Sequence, residues 1–92
     1  MNNNTDEKDL VLIVDDSSDT LSILNEALEK EGMETLVALE GNQALAIAQK
    51  MIPDIILLDA IMPTISGFDV CKKLKENQEL RSIPVIFMTG LR

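Results

Sequence analysis

Three carboxylates and one hydroxyl in this sequence stand where apolar runs give out. Asp15 and Asp16 close "LVLIVDD", Asp59 closes "DIILLD", and Thr89 closes "IPVIFMT". A carboxylate at the end of an aliphatic run is either a solvated strand end or a reagent. As a reagent, Asp can attack as a nucleophile or bind a hard cation through oxygen. The chain has no His, and its one cysteine, Cys71, cannot form an internal disulfide, so imidazole chemistry is closed to it.

The elements that must position these groups follow from the apolar pattern. "LVLIV" is an unbroken aliphatic run, as expected of a strand buried on both faces of a parallel sheet. Ser17 and Ser18 can cap a helix with Asp19 in its first turn and Leu21, Leu24 and Leu28 at helical spacing, stopping at Gly32. Glu34 to Leu39 reads as a second strand. Residues 41–51 read as a second helix with Ala44, Ile47, Ala48 and Met51 on one face, ended by Pro53. Asp54 to Asp59 is the third strand. Ser66 and Gly67 introduce a third helix with Phe68, Cys71 and Leu74 along one side, and Ile83 to Thr89 is the fourth strand. Strands and helices alternate, and the strands lack polar alternation, so an α/β open parallel sheet is the economical reading.

In such a sheet the chain lays strand 2 beside strand 1, then reverses and lays strand 3 on the other side of strand 1. The reversal leaves a crevice at the carboxyl ends of strands 1 and 3, where Asp15, Asp16 and Asp59 would meet. Three like charges there repel one another unless a cation neutralises them. Magnesium suits an all-oxygen site with few direct carboxylates, whereas calcium asks for more ligands than the pattern offers. For Asp15 and Asp16 a second role is compatible with the first, as favourable charge at the start of helix 1. Thr89 taken alone is also an ordinary strand former.

With these residues assembled, the sequence resembles the receiver domains of two-component response regulators. The features that carry the resemblance are "VLIVDD", "DIILLD", the "MP" that follows with Gly67 four residues after Pro63, and "IPVIFMT" with its terminal Thr89. The resemblance implies a flavodoxin-like (CheY-like) sheet of strand order 2-1-3-4. It implies that Asp59 is the phosphoacceptor, taking a phosphoryl group from a histidine kinase or a phosphotransfer protein. Asp16, Asp59 and the Ile61 carbonyl would hold Mg2+, with Asp15 acting mainly through a metal-bound water, and Thr89 would hydrogen-bond the phosphoryl group.

Receivers of this family continue past that threonine with a fourth helix, a lysine-bearing fifth strand and a fifth helix. The resemblance therefore implies a truncated receiver lacking the last strand and last two helices, over residues 10–92, behind a flexible acidic leader at residues 1–9. Right-handed crossovers put helix 1 on one face of the sheet and helices 2 and 3 on the other. Alternate residues of strands 3 and 4 beside helix 1 would then lack cover, and strand 4 would be an open edge. A homodimer that covers this face or edge is the expected consequence.

Composition limits the alternatives. The net charge is −8, with 16 acidic and 8 scattered basic residues, which argues against a nucleic-acid partner. No run is long enough to span a membrane, no signal segment opens the chain, and a lone cysteine fits a reducing compartment, so a cytoplasmic location is expected. A second function class stays open: an unphosphorylated truncated receiver acting as a self-associating interaction module. A haloacid-dehalogenase-type phosphatase would also use a strand-end Asp, but it requires a second acid two residues on, where this chain has Ile61. Lys72, Lys73 and Lys75 read as a solvated helix face, and Cys71 as a small core residue.

Overall fold

The computed structural model describes residues 8–88. The elements run β1 (Leu10–Val14), α1 (Ser18–Lys30), β2 (Glu34–Ala38), α2 (Gly41–Met51), β3 (Ile55–Asp59), α3 (Gly67–Glu76) and β4 (Val85–Met88). The four strands form one parallel sheet in the order β2-β1-β3-β4, as the alternation of elements implies. The reversal of winding after β2 leaves β1 and β3 as the central pair.

Side chains alternate across the sheet and divide the core in two. Leu12, Val14, Ile56 and Leu58 pack under α2 and α3 with Ala44, Ala48, Val70 and Leu74. Val11 and Ile13 pack on the opposite face under Leu21, Leu24 and Leu28 of α1. Each helix starts on an identifiable cap. Ser17 Oγ accepts the Thr20 N–H for α1, the Glu40 carboxylate accepts the Asn42 and Gln43 N–H groups for α2, and Ser66 Oγ accepts the Asp69 N–H for α3.

Strand ends differ from the sequence expectation for local reasons. β4 begins at Val85 and not at Ile83, because Pro84 has no N–H to give the ladder and the Ile83 N–H is turned back to the Leu80 carbonyl at 3.0 Å. β2 stops at Ala38 because the Leu39 N–H donates to the Gln43 side chain at 2.9 Å. The Asp54 carboxylate lies just before β3 and accepts the Leu10 N–H at 2.7 Å, clasping β1 at the end opposite the acidic crevice.

Two expected core faces are corrected. The buried stripe of α3 is Gly67, Val70 and Leu74, so Phe68 turns outward, 60% exposed, with its ring 4.9 Å from that of Phe87 in β4. Cys71 does pack against the core, partly buried. Met51 is the last residue of α2 and is exposed, leaving Gly41, Ala44 and Ala48 as the buried positions of that helix. Nor is Lys75 merely solvated: its Nζ donates to the Arg81 and Ile83 carbonyls at 3.0 and 2.9 Å. On the α1 face of β3 and β4, Ile86 is 50% exposed, while Ile55, Leu57 and Met88 are partly buried against the α1 cluster. Among the described residues no helix is long and apolar enough to cross a membrane.

Candidate functional site

The site is built from the ends of the two central strands. Val14 pairs with Leu58, so the next residues, Asp15 and Asp59, leave adjacent strands side by side. Asp15 and Asp59 are buried, at 2% and 8% exposure, and Asp16 is exposed to solvent. One carboxylate oxygen from each of the three lies within 4.8 Å of the others. Residues 15 and 59, far apart in the chain, are therefore neighbours because the strand order makes β1 and β3 neighbours.

The same backbone device orients both buried acids. Asp15 Oδ1 accepts the Ser17 N–H at 2.8 Å, and Asp59 Oδ1 accepts the Ile61 N–H at 3.2 Å. Each is a turn closed by an Asp side chain on the amide two residues later, which fixes the carboxylate at the moment the strand ends. The first turn continues into α1 through the Ser17 cap, so the start of that helix and the acid are one unit. Asp15 is held to the sheet as well, its N–H donating to the Ala38 carbonyl at 3.1 Å.

The loop after Asp59 is returned to the strand by glycine. The Gly67 N–H donates to the Ala60 carbonyl at 2.9 Å, and a Cβ at residue 67 would overlap the Asp59 carbonyl oxygen and lie 2.8 Å from Ala60 Cα. Only glycine lets α3 start this close to the acid-bearing strand. Between these points Met62 is buried, Ile61 is 78% exposed, and Thr64 holds a left-handed φ of +72°.

The structure thus brings together Asp15, Asp16 and Asp59, with Ile61 tied to Asp59 through its amide. Thr89 lies outside the described residues; it follows Met88, which pairs with Asp59 across β3 and β4. Residues 1–7 of the expected leader also lie outside them, while the Asp9 carbonyl accepts the Glu34 N–H at 2.9 Å. Gly67 stands out in the sequence for its spacing from Pro63 and as the start of the third helix; its contact with Asp59 emerges from the packing. All three gathered groups are oxygen donors, without nitrogen or sulfur, which is the donor set a hard divalent cation takes.

Comparison with known proteins decides the family, since the response regulator receiver domain model matches residues 11–92. The chain belongs to that family. Among curated relatives of this receiver domain, the response regulator PleD of Caulobacter vibrioides is 44% identical over 81 residues, covering 88% of this chain and 18% of PleD. The polar-differentiation response regulator DivK of Brucella ovis is 40% identical over 80 residues, covering 87% of this chain and 65% of DivK. The receiver domain described here therefore spans less than two thirds of either relative. Solved receivers share its fold. Chemotaxis protein CheY4 of Vibrio cholerae superposes with a TM-score of 0.85 at 31% identity, covering 92% of this chain and 73% of CheY4. The receiver domain of a signal transduction histidine kinase from Syntrophus aciditrophicus gives 0.84 at 36% identity, covering 91% and 64%.

Proposed function

We propose that this receiver domain takes a phosphoryl group on Asp59 from a histidine kinase or a phosphotransfer protein, with Mg2+ as the cofactor. The observation that supports it most is the gathering of Asp15, Asp16 and Asp59 oxygens within 4.8 Å at the end of the central strands. Structural acids have no need to converge in this way, because their mutual repulsion is unfavourable without a cation between them.

In this reading Asp16, Asp59 and the Ile61 carbonyl hold the ion, and Asp15 acts mainly through a water on it. Bound there, Mg2+ would neutralise the charge that builds on the phosphoryl oxygens during transfer. The work of the chain is positioning. An Asp59 oxygen attacks phosphorus, a P–O bond forms as the donor's P–N bond breaks, and the leaving imidazole keeps the electron pair and picks up a proton. The Ile61 N–H fixes the orientation of the attacking carboxylate through Oδ1. Thr89 would hydrogen-bond the transferred group. The chain is a signalling module that turns over at most by slow loss of its own phosphoryl group, and it works in the cytoplasm, where such donors act.

Incubation with a small phosphodonor and Mg2+, followed by intact-mass measurement, tests this. One phosphoryl adduct on the parent and none on Asp59→Asn is the expected pair; no adduct on the parent with any donor overturns it.

A second reading is favoured by one observation, the half-exposed Ile86 beside Ile55, Leu57 and Met88 on the α1 face. A second copy of this chain would cover that face in a two-fold dimer, and an unphosphorylated dimer would serve as an interaction module.

A further inference from the structure

Among the described residues β2 pairs with β1 alone, and its other edge is open. The Glu34 N–H donates to the Asp9 carbonyl at 2.9 Å and the Asp15 N–H to the Ala38 carbonyl at 3.1 Å, so residues 34, 36 and 38 turn their main-chain groups toward β1. The residues between them turn theirs the other way, which directs the N–H and C=O groups of Thr35 and Val37 outward from the sheet. Strand edges of this kind are ordinarily blunted by lysine, proline or a bulge, and "ETLVA" has none of these over an unbroken register with β1. The open stretch ends at Leu39, whose N–H is taken by the Gln43 side chain.

A groove of about 320 Å³ runs beside this edge, between β2 and α1. Its apolar lining is Leu21, Val37 and Leu39, the last two exposed. Its other wall is Ser18, Ser22 and Asn25, one row of α1 at helical spacing. Asn25 Oδ1 accepts the Thr35 hydroxyl and ties that wall to the strand. Outward main-chain groups beside a recess for side chains are the two halves of a strand-addition site, the first giving affinity and the second selectivity.

The surrounding charges decide which kind of strand fits. Glu29 continues the row of Ser18, Ser22 and Asn25, Asp19 and Glu26 flank it, Glu34 opens β2, and all four acids are exposed. Lys30, the only basic residue of α1, reaches Glu26 at 3.9 Å. An acidic rim around an apolar recess favours a cationic strand, and it disfavours a second copy of the same edge, which would bring like charges together.

We propose that the free edge of β2 and the groove between β2 and α1 form a docking site for an extended segment of a partner protein that carries aliphatic residues between basic ones. The aliphatic side chains enter the groove against Val37 and Leu39, the main chain pairs with Thr35 and Val37, and the basic residues meet the acidic rim.

The test titrates the full chain with a blocked heptapeptide of two lysines, valine, threonine, valine and two lysines, followed by backbone amide NMR and hydrogen exchange. The expected result is saturable binding with Kd below about 1 mM. Exchange should slow at Thr35 and Val37 and stay unchanged at Ile86, on the other edge. Val37→Pro removes an outward N–H without touching the ladder to β1 and is expected to weaken binding about tenfold. Leu39→Ser strips the groove of an apolar wall at constant charge and is expected to weaken it about three- to tenfold, which decides the matter if Val37→Pro does not fold. Ile86→Ser should bind as the parent does. Absence of saturable binding overturns the proposal, as does parent-like binding by Leu39→Ser or slowed exchange at β4 in place of β2. Equal binding of the same peptide with glutamate for lysine overturns the cationic partner. Slowed exchange at Thr35 and Val37 that grows with protein concentration without peptide assigns the edge to a second copy and overturns it too.

Discussion

Gly67 lies against the backbone of Asp59 with no room for a side chain between them, so the first turn of α3 and the acid at the end of β3 form one packed unit. The atoms that a Cβ would meet are the Asp59 carbonyl and Ala60 Cα, both main chain, and no rotamer change relieves them. Gly67→Ala must therefore move either α3 or the end of β3. The expected cost is about 2–4 kcal/mol in urea unfolding, with loss of most of the phosphoryl adduct in the fraction that stays folded. Unfolding at the parent's urea midpoint would show that the end of β3 yields freely.

Lys75 ties the end of α3 to the turn before β4 through two carbonyls, those of Arg81 and Ile83. Lys75→Met keeps the length of the stem and removes both donors. The variant is expected to lose about 1 kcal/mol in urea unfolding and to speed amide exchange at Ile83. Exchange at Leu12, in the middle of β1, should stay unchanged, and a uniform increase along the chain would contradict a local tie.

Ile52 ends α2 in the left-handed conformation, where glycine is the usual residue. Its side chain is exposed, so its removal forfeits little burial. Ile52→Gly is expected to stabilise the fold by about 0.5–1 kcal/mol, read as a higher thermal midpoint. A lower midpoint would mean that the side chain packs more than its exposure indicates.

The α1 face of β3 and β4 gives a prediction about assembly. If a second copy covers Ile86, Ile86→Lys should shift the chain toward monomer in sedimentation velocity at micromolar concentration, since a charge cannot be buried in an apolar interface without a partner. A parent that sediments as a monomer across that range contradicts the dimer and leaves phosphoacceptance untouched.

The strand order and the acidic crevice were legible in the sequence because each strand is an aliphatic run and the two central ones end in carboxylates. Val11 to Val14 and Ile55 to Leu58 admit little but a sheet buried on both faces, and such a sheet brings Asp15 and Asp59 together. The phase of α3 was not legible, because two stripes compete there. Phe68, Cys71 and Leu74 form the more apolar one, while the stripe that is buried begins with Gly67, whose lack of a side chain carries no hydropathy signal although its close contact sets the rotation of the helix. Thr64 gave no warning either: threonine seldom marks a positive φ, and only the anchors at Met62 and Ile65 force one. The bonds from Lys75 span a turn and leave no periodic trace.

Acids from the ends of β1 and β3 should make a single cation site, which a Mg2+ titration followed by backbone amide NMR will reveal. The amides of Asp16 and Ser17 on one segment and of Asp59 and Ile61 on the other are expected to shift together and saturate along one curve at millimolar Mg2+, and Asp59→Asn to weaken the response of both segments. Silence at millimolar Mg2+, or shifts confined to one segment, would contradict it.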